Sequence, residues 1–473
     1  MKTHSALQKM LALAVVGAFA SSPAPVFASG FQLVEQNGSG LGNAFAGQAA
    51  GARDASTIFF NPANLTRIEG KQFVLGANPI GVTTTFQDQG STRPLLGTTP
   101  IPVPLGGEGG DAGGWIPVPN AFLSWQAGSQ VWVGLGVSVP FGLKTEWEED
   151  WVGRFKATKS EVQTLNINPT LAFKVNESLS VGAGASYQKL KATLAQGVPY
   201  GGLAYGGALQ AAGPIAAAGI LAQLGGPAGL AKEGISQVEG DTWSWGFNLG
   251  ATLKLGEQGR LAASYRSKIK HDVEGDVTFA DAPSFATSGP LGALGTALNA
   301  RFANGPVTTH IELPETVSIA AAWEGERAEV LADWSWTGWT SIQTLAIARA
   351  DGSALSSVPL NFEDTWRVGL GFNYLANDAW TLRLGTAYDK APVQDQYRTP
   401  RLPDNGRIWA AGGFQYKLGK KAAIDLGYAH LFIDDATSNL PNQDSPTSTP
   451  SGNLIGSYSA GVNIVSFQLK YSF

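Results

Sequence analysis

The sequence contains no cysteine. That absence excludes disulfides, metal–thiolate centres and thiol nucleophiles together, and it suits export to an oxidising space where stray thiols would crosslink. Charge is scarce too: Asp, Glu, Lys and Arg make up 15% of the chain, and the net value of −5 leaves no footprint for nucleic acid. Beyond the N-terminal leader, no stretch reaches the roughly 18 consecutive apolar residues of a membrane-spanning helix. Histidine is reduced to His4, His271, His310 and His430, scattered along the chain, with neither metal-ligand spacing nor a nucleophile elbow. Neither an enzyme nor a cofactor is expected.

What the chain does have is glycine (60 residues) and aromatics (14 Trp, 22 Phe, 11 Tyr) arranged in two-faced segments. At the carboxyl terminus Val465, Phe467, Leu469, Tyr471 and Phe473 alternate with Ser466, Gln468, Lys470 and Ser472. Such alternation specifies a strand. About fourteen such segments follow Lys71. In a chain so poor in charge, a recurring apolar face is a lipid-facing one, and lipid tolerates no open sheet edge, so the strands must close into a barrel.

The connections alternate in length. Short ones lie at Ala127-Gly128-Ser129, Asn176-Glu177, Glu257-Gln258, Gly325-Glu326, Ala376-Asn377 and Gly419-Lys420; long ones cover roughly 88–116, 147–159, 195–240, 280–305, 350–361, 391–405 and 436–454. That asymmetry separates tight periplasmic turns from extracellular loops. The outward sets include Val131, Val133, Leu135 and Val137, and Trp366, Val368, Leu370, Phe372 and Tyr374; Gly134, Gly136, Gly182, Gly184, Arg367, Gly369, Gly371, Arg383 and Asp425 face a lumen. Lys2 and Lys9, an apolar run from Met10 to Ala20, and Val26-Phe27-Ala28 before Ser29 read as an export signal over 1–28.

Residues 29–70 break the strand pattern, with helical spacing around Ala44, Phe45, Ala49, Ala50 and Arg53 and a turn at Asn61-Pro62-Ala63. The segment is too small to bury a core of its own, so it is placed inside the barrel of residues 71–473. Ser29-Gly30-Phe31-Gln32-Leu33, Ser39-Gly40-Leu41-Gly42, Asn61-Pro62-Ala63, the run from Val139 to Trp147, Tyr265-Arg266-Ser267, Trp366-Arg367-Val368, Ala387-Tyr388-Asp389 and Pro403-Asp404 resemble the FadL family of outer-membrane transporters for long-chain fatty acids and other hydrophobic compounds. The resemblance implies an all-β, 14-stranded antiparallel transmembrane barrel, monomeric, closed by an N-terminal helical hatch. It also implies a hydrophobic site among extracellular loops, a second site near Phe31, a hatch gate at Asn61, Pro62 and Ala63, and sideways exit into the membrane.

The residues supply candidates for each role. Two loops are too apolar for segments facing water: 195–240 carries Leu203, Leu209, Ile220 and Leu224, and 280–305 carries Leu291, Leu294 and Leu298 at helical spacing. They either form a greasy groove or only pack against each other. A fatty acid also brings a carboxylate, whose burial requires a cation. Arg266, Lys268 and Lys270 share one face of their strand, opposite Leu261, Ala263, Tyr265 and Ile269, and Arg367 and Arg383 face inward; balanced ion pairs are the bland alternative. Pro140, followed by Phe141-Gly142, removes a ladder donor where a barrel should have no edge and predicts a kink, which in the resembling family is the lateral opening. The expected function is passive outer-membrane transport of long-chain fatty acids, with outer-membrane lipid, lipopolysaccharide and, in crystals, detergent as neighbours. The alternatives are an aromatic or alkane hydrocarbon channel, or a surface receptor or adhesive barrel.

Overall fold

The computed structural model describes residues 30–473 apart from 52, 97–98 and 444–449; the expected export signal over 1–28 lies outside the described residues. Alternating segments pair in register into one antiparallel sheet that closes on itself. Its strands are β1 (Lys71–Ala77, resuming as Ile80–Asp88), β2 (Gly114–Ile116 and Pro119–Gln126), β3 (Val131–Ser138 and Gly142–Glu146), β4 (Lys159–Lys174), β5 (Leu179–Val198), β6 (Gly234–Leu255), β7 (Gly259–Arg266 and Ile269–Phe279), β8 (Gly305–Leu313 and Thr316–Glu324), β9 (Ala328–Thr337), β10 (Thr365–Leu375), β11 (Trp380–Asp389), β12 (Arg407–Leu418), β13 (Ala422–Ile433) and β14 (Leu454–Ser472). The closing strand pairs with β13 on one side and with β1 on the other, Gln72 opposite Ser472. The barrel is therefore a closed 14-stranded one, as the alternation requires.

Each expected short turn joins two consecutive strands, and the loop helices sit at the other rim. On the outer face Leu135, Trp366, Phe372, Tyr428 and Phe467 are exposed, a property that only lipid makes favourable. β5 and β6, 20 and 22 residues long, outrun the roughly 9–11 residues that cross a bilayer. Tyr187 stacks on Trp243, 4.5 Å between centroids, and just above them Lys189 pairs with Asp241 at 2.8 Å and Lys191 with Glu239 at 2.6 Å. The switch from aromatic to ionic pairs on one face marks where hydrocarbon ends.

Three expectations are corrected. The spacing around Ala44 to Arg53 does not form a helix: Ala44 and Phe45 have positive φ (49° and 56°), which ends the helical run, and the short helices α1 (Gly38–Leu41) and α2 (Thr57–Phe60) lie on either side. The loop assigned to 350–361 contains a hairpin, Thr344–Arg349 with Ala354–Pro359, that extends the wall beside β8. Lys268 and Lys270 do not share the face of Arg266. Asn248 opposes Arg266 whereas Asp241 opposes Glu274, so β7 uses eight steps where β6 uses seven. This bulge at Ser267-Lys268 flips every later side chain. Ile269, His271 and Val273 consequently point inward and are buried, while Lys268 and Lys270 sit outside, both paired with Glu312.

Candidate functional site

The described residues between 30 and 70 are threaded against the inner side of the wall by hydrogen bonds and close packing. Asn61 caps the 3₁₀ turn Pro62–Arg67 through Ala63 N (3.0 Å) and donates to Ala49 O (2.7 Å), Ala251 O (3.2 Å) and Thr252 Oγ1 (3.1 Å). The strands approach closely here because they carry glycine: a Cβ on Gly250 would lie 1.9 Å from Asn61 Oδ1, and one on Gly182 would lie 2.6 Å from Ala63 N. Asn43 donates to Phe372 O and Leu384 O, and Gly38 N to Gln468 Oε1. Glycine in the strands is thus the complement of backbone in the segment.

The start of this segment meets the interruption of β3. Ser138 opposes Asn166 and Gly142 opposes Gln163, four steps on β3 against three on β4. Pro140 has no N–H to give, and the backbone groups released around it are taken up from within: Leu33 N donates to Pro140 O (2.8 Å) and Gly142 N to Phe31 O (3.0 Å). The Gln36 amide bonds both Val139 O (2.7 Å) and Val139 N (3.1 Å). Residues Phe31–Leu33 thus act as a short strand laid into the kink. On the opposite side, among the described residues, no ladder pair joins Gly114–Ile116 of β2 to Gly142–Glu146 of β3. The wall has no ladder at that height, and at the far end of the stretch Glu146 N donates to Ala112 O (3.0 Å).

Phe31 occupies the end of an apolar cavity of about 100 Å³, edge-on to Trp339 (4.9 Å between centroids) and tilted against Phe141 (5.8 Å). Leu190, Val273, Ile342, Phe362 and Val393 complete its walls. A larger cavity of about 620 Å³ lies on the outer side, and the two share Leu194, Leu345, Thr399 and Arg401. Among the described residues, the larger one is lined by Lys156, Arg301, Arg349 and Arg401 and by one acid, Asp351. The Arg401 guanidinium stands at the junction, donating to Ser160 Oγ (3.1 Å), Lys159 O (3.2 Å) and Gln196 Oε1 (2.8 Å). A cationic antechamber leads to an apolar hole.

The residues singled out in the sequence are only partly brought together. In α3 (Tyr200–Gln223, kinked where Gly213 takes φ 79° before Pro214) and α4 (Gly292–Arg301), Leu203, Ile220, Leu224 and Leu298 are buried against one another with Phe285 and Phe302, Leu294 packs on the edge of that cluster, and Leu291 reaches Gly219. Leu209 is exposed, and only Leu203 lines the larger cavity. The two loops mostly pack each other. Arg367 donates to Ala44 O, which braces the N-terminal segment, and pairs with Asp333 (3.3 Å) and Asp389 (3.5 Å), while Arg383 is buried on Asp425 of a nearby strand. Burying a guanidinium demands such a partner, which is why inward direction alone does not make a ligand site. Arg266 faces a third cavity, between residues 32–34 and Phe59-Phe60 of the segment. Sequence reasoning missed Arg401, Arg349 and Trp339: Arg401 and Trp339 lie in segments without alternation, so nothing in the pattern gives the direction of their side chains, and Arg349 ends a hairpin strand that the pattern did not single out.

Comparison with known proteins agrees with this architecture. A family model described as "Outer membrane protein transport protein (OMPP1/FadL/TodX)" matches residues 17–473. A long-chain fatty acid transport protein of Escherichia coli O6:H1 is 30% identical over 437 residues, covering 89% of this chain and 90% of that protein. A putative outer membrane protein of Neisseria meningitidis serogroup B is 30% identical over 488 residues and covers 100% of both chains. Among solved structures, a Pseudomonas aeruginosa FadL homologue superposes with a TM-score of 0.81 at 25% identity, covering 94% of this chain and 100% of the other. The Pseudomonas putida toluene transporter TodX has the same fold, with a TM-score of 0.61 at 19% identity over 91% of this chain and 98% of the other.

Proposed function

This chain belongs to the FadL/TodX family of outer membrane transport proteins, and we propose that within it the chain is a passive channel for long-chain fatty acids. The observation that carries this reading is Arg401, a cation at the junction of a cationic antechamber and an apolar cavity. A fatty acid has that polarity, a charged head on an apolar tail. The carboxylate is drawn to the outer cavity, the chain enters past Leu194 and Leu345 toward Phe31, and Arg401 holds the head.

Residues 30–70 serve as a hatch, and Phe31–Leu33 are its latch on β3. When the latch leaves the kink at Val139 to Phe141, the gap between β2 and β3 opens sideways and the tail moves into lipid, avoiding water on both sides. Transport follows the gradient of the acid. The barrel works as a monomer, bordered by outer-membrane lipid and lipopolysaccharide.

Uptake of labelled oleate and of toluene by cells carrying the protein tests the cargo. Arg401→Gln removes a charge-assisted hydrogen bond and should slow oleate at least tenfold, within the range of roughly 1.5–3 kcal/mol for such bonds, while sparing toluene. Equal loss of both would sink the fatty-acid reading and favour a hydrocarbon channel.

A further inference from the structure

We propose that Arg266 is a second carboxylate-binding station, lying beneath residues 32–34 of the N-terminal segment, to which an acid transfers its headgroup after leaving Arg401. The proposal rests on the fatty-acid reading and adds a site to it.

Other inward arginines of the strands each have an acid: Arg260 has Glu324 and Glu329, Arg367 has Asp333 and Asp389, Arg383 has Asp425, and Arg407 has Asp404. Among the described residues no carboxylate lies within ion-pair distance of Arg266. Its Nη2 donates to Phe59 O at 2.6 Å, and its guanidinium lies over the Phe59 ring, 4.1 Å from the centroid. Carbonyl and ring hold the group in place without neutralising it. A largely buried cation with no counter-ion is costly unless something supplies the charge.

Arg266 lines a cavity of about 90 Å³ whose walls join two chemistries. Ser264, Ser318 and Ser335 bring hydroxyls that can donate to a carboxylate, while Leu33, Phe59 and Phe60 offer apolar surface for the first carbons of a chain. Asp389 lines it as well, but Trp409 Nε1 (2.9 Å) and Arg367 (3.5 Å) already engage that carboxylate.

The segment that latches β3 is also the partition between this cavity and the one above. Phe31 lines the upper cavity, and Gln32, Leu33 and Val34 line the lower. Gln32 fastens the strip to the adjacent strands β8 and β9, its Nε2 donating to Thr316 Oγ1 (2.9 Å) and its Oε1 accepting from Thr337 Oγ1 (3.1 Å). Withdrawal of this strip from Pro140 and Gly142 joins the two cavities. A carboxylate that left Arg401 for a purely apolar passage would pay the full cost of desolvation, and a second cation past the partition lowers that step.

The test compares uptake of labelled oleate and of oleyl alcohol, its uncharged counterpart, by cells bearing Arg266→Gln, Arg266→Lys or Arg401→Gln, with heat-modifiable gel mobility reporting the folded barrel. Arg266→Gln should cut oleate uptake roughly tenfold, as loss of one charged hydrogen-bonding partner predicts, and leave oleyl alcohol unchanged. Arg266→Lys should keep most of the oleate rate. Unchanged oleate uptake in Arg266→Gln overturns the station, as does equal loss of both substrates in both Arg266 variants, which marks a structural role. An effect at Arg401 with none at Arg266 removes the station alone, whereas no effect at Arg401 removes the fatty-acid reading and the station with it.

Discussion

Glu35 lies buried in the N-terminal segment, and its Oε2 has no hydrogen-bond partner among the described residues. Burial pushes its carboxyl up from 4.5 to about 7, a backbone hydrogen bond and Arg407 and Arg367 oppose the shift, and Asp389 adds to it. Because the folded-state value is the higher one, the folded protein holds the extra proton, and stability falls as pH rises from about 4.5 to about 7. The full loss above that window is roughly 3 kcal/mol. Glu35→Gln should flatten the decline, so that thermal unfolding between pH 5 and 8 separates the two proteins increasingly toward pH 8. Parallel curves would place the slope in another group. A second residue-scale prediction concerns Gly250, where a Cβ would lie 1.9 Å from Asn61 Oδ1. Gly250→Val should displace the Asn61-Pro62-Ala63 turn and make cells permeable to large hydrophilic antibiotics, with the barrel still folded; unchanged sensitivity would mean that the turn has room to shift. Nothing in the sequence pattern of β6 foretells the amide that rests on Gly250.

At the scale of elements, legibility followed local chemistry. Strand alternation and the turns at Asn176-Glu177 and Ala376-Asn377 are encoded in neighbouring residues, and so is the stop imposed by Pro140; all stand where the sequence puts them. The bulge at Ser267-Lys268 is not local. Lys268, Ile269 and Lys270 continue an acceptable alternation either way round, and the choice is made by β6 and β8 on either side. Arg401 was illegible for a related reason, since a loop residue's direction is set by tertiary contacts. The β3 interruption carries its own prediction. Deleting Pro140 brings Val139 and Phe141 into even register with β4, restores ladder bonds and should close the gap beside β2. Oleate uptake should fall at least tenfold, by analogy with losing one or two hydrogen-bonded steps of about 1 kcal/mol each in the open state. Undiminished uptake would rule out the sideways route.

For the molecule as a whole, the N-terminal segment is bonded to strands on opposite sides of the barrel, to β14 through Gln468, to β10 and β11 through Asn43, and to β6 through Asn61. The wall closes without it, since the strand ladders are complete apart from the gap beside β3. A protein lacking residues 30–69 should therefore still assemble as a barrel but conduct ions steadily in planar bilayers, where the intact chain conducts little; equal conductance would mean that the segment does not block the lumen. The same bonds have a consequence for biogenesis. Gly38 and Asp54 reach Gln468, on the strand whose pairing with β1 forms the seam. Gly38 and Asp54 therefore find this partner only when the last strand arrives, so the cargo door is fully hung only as the final seam is sewn, and a barrel that zips shut with its amino terminus outside has sealed itself permanently ajar.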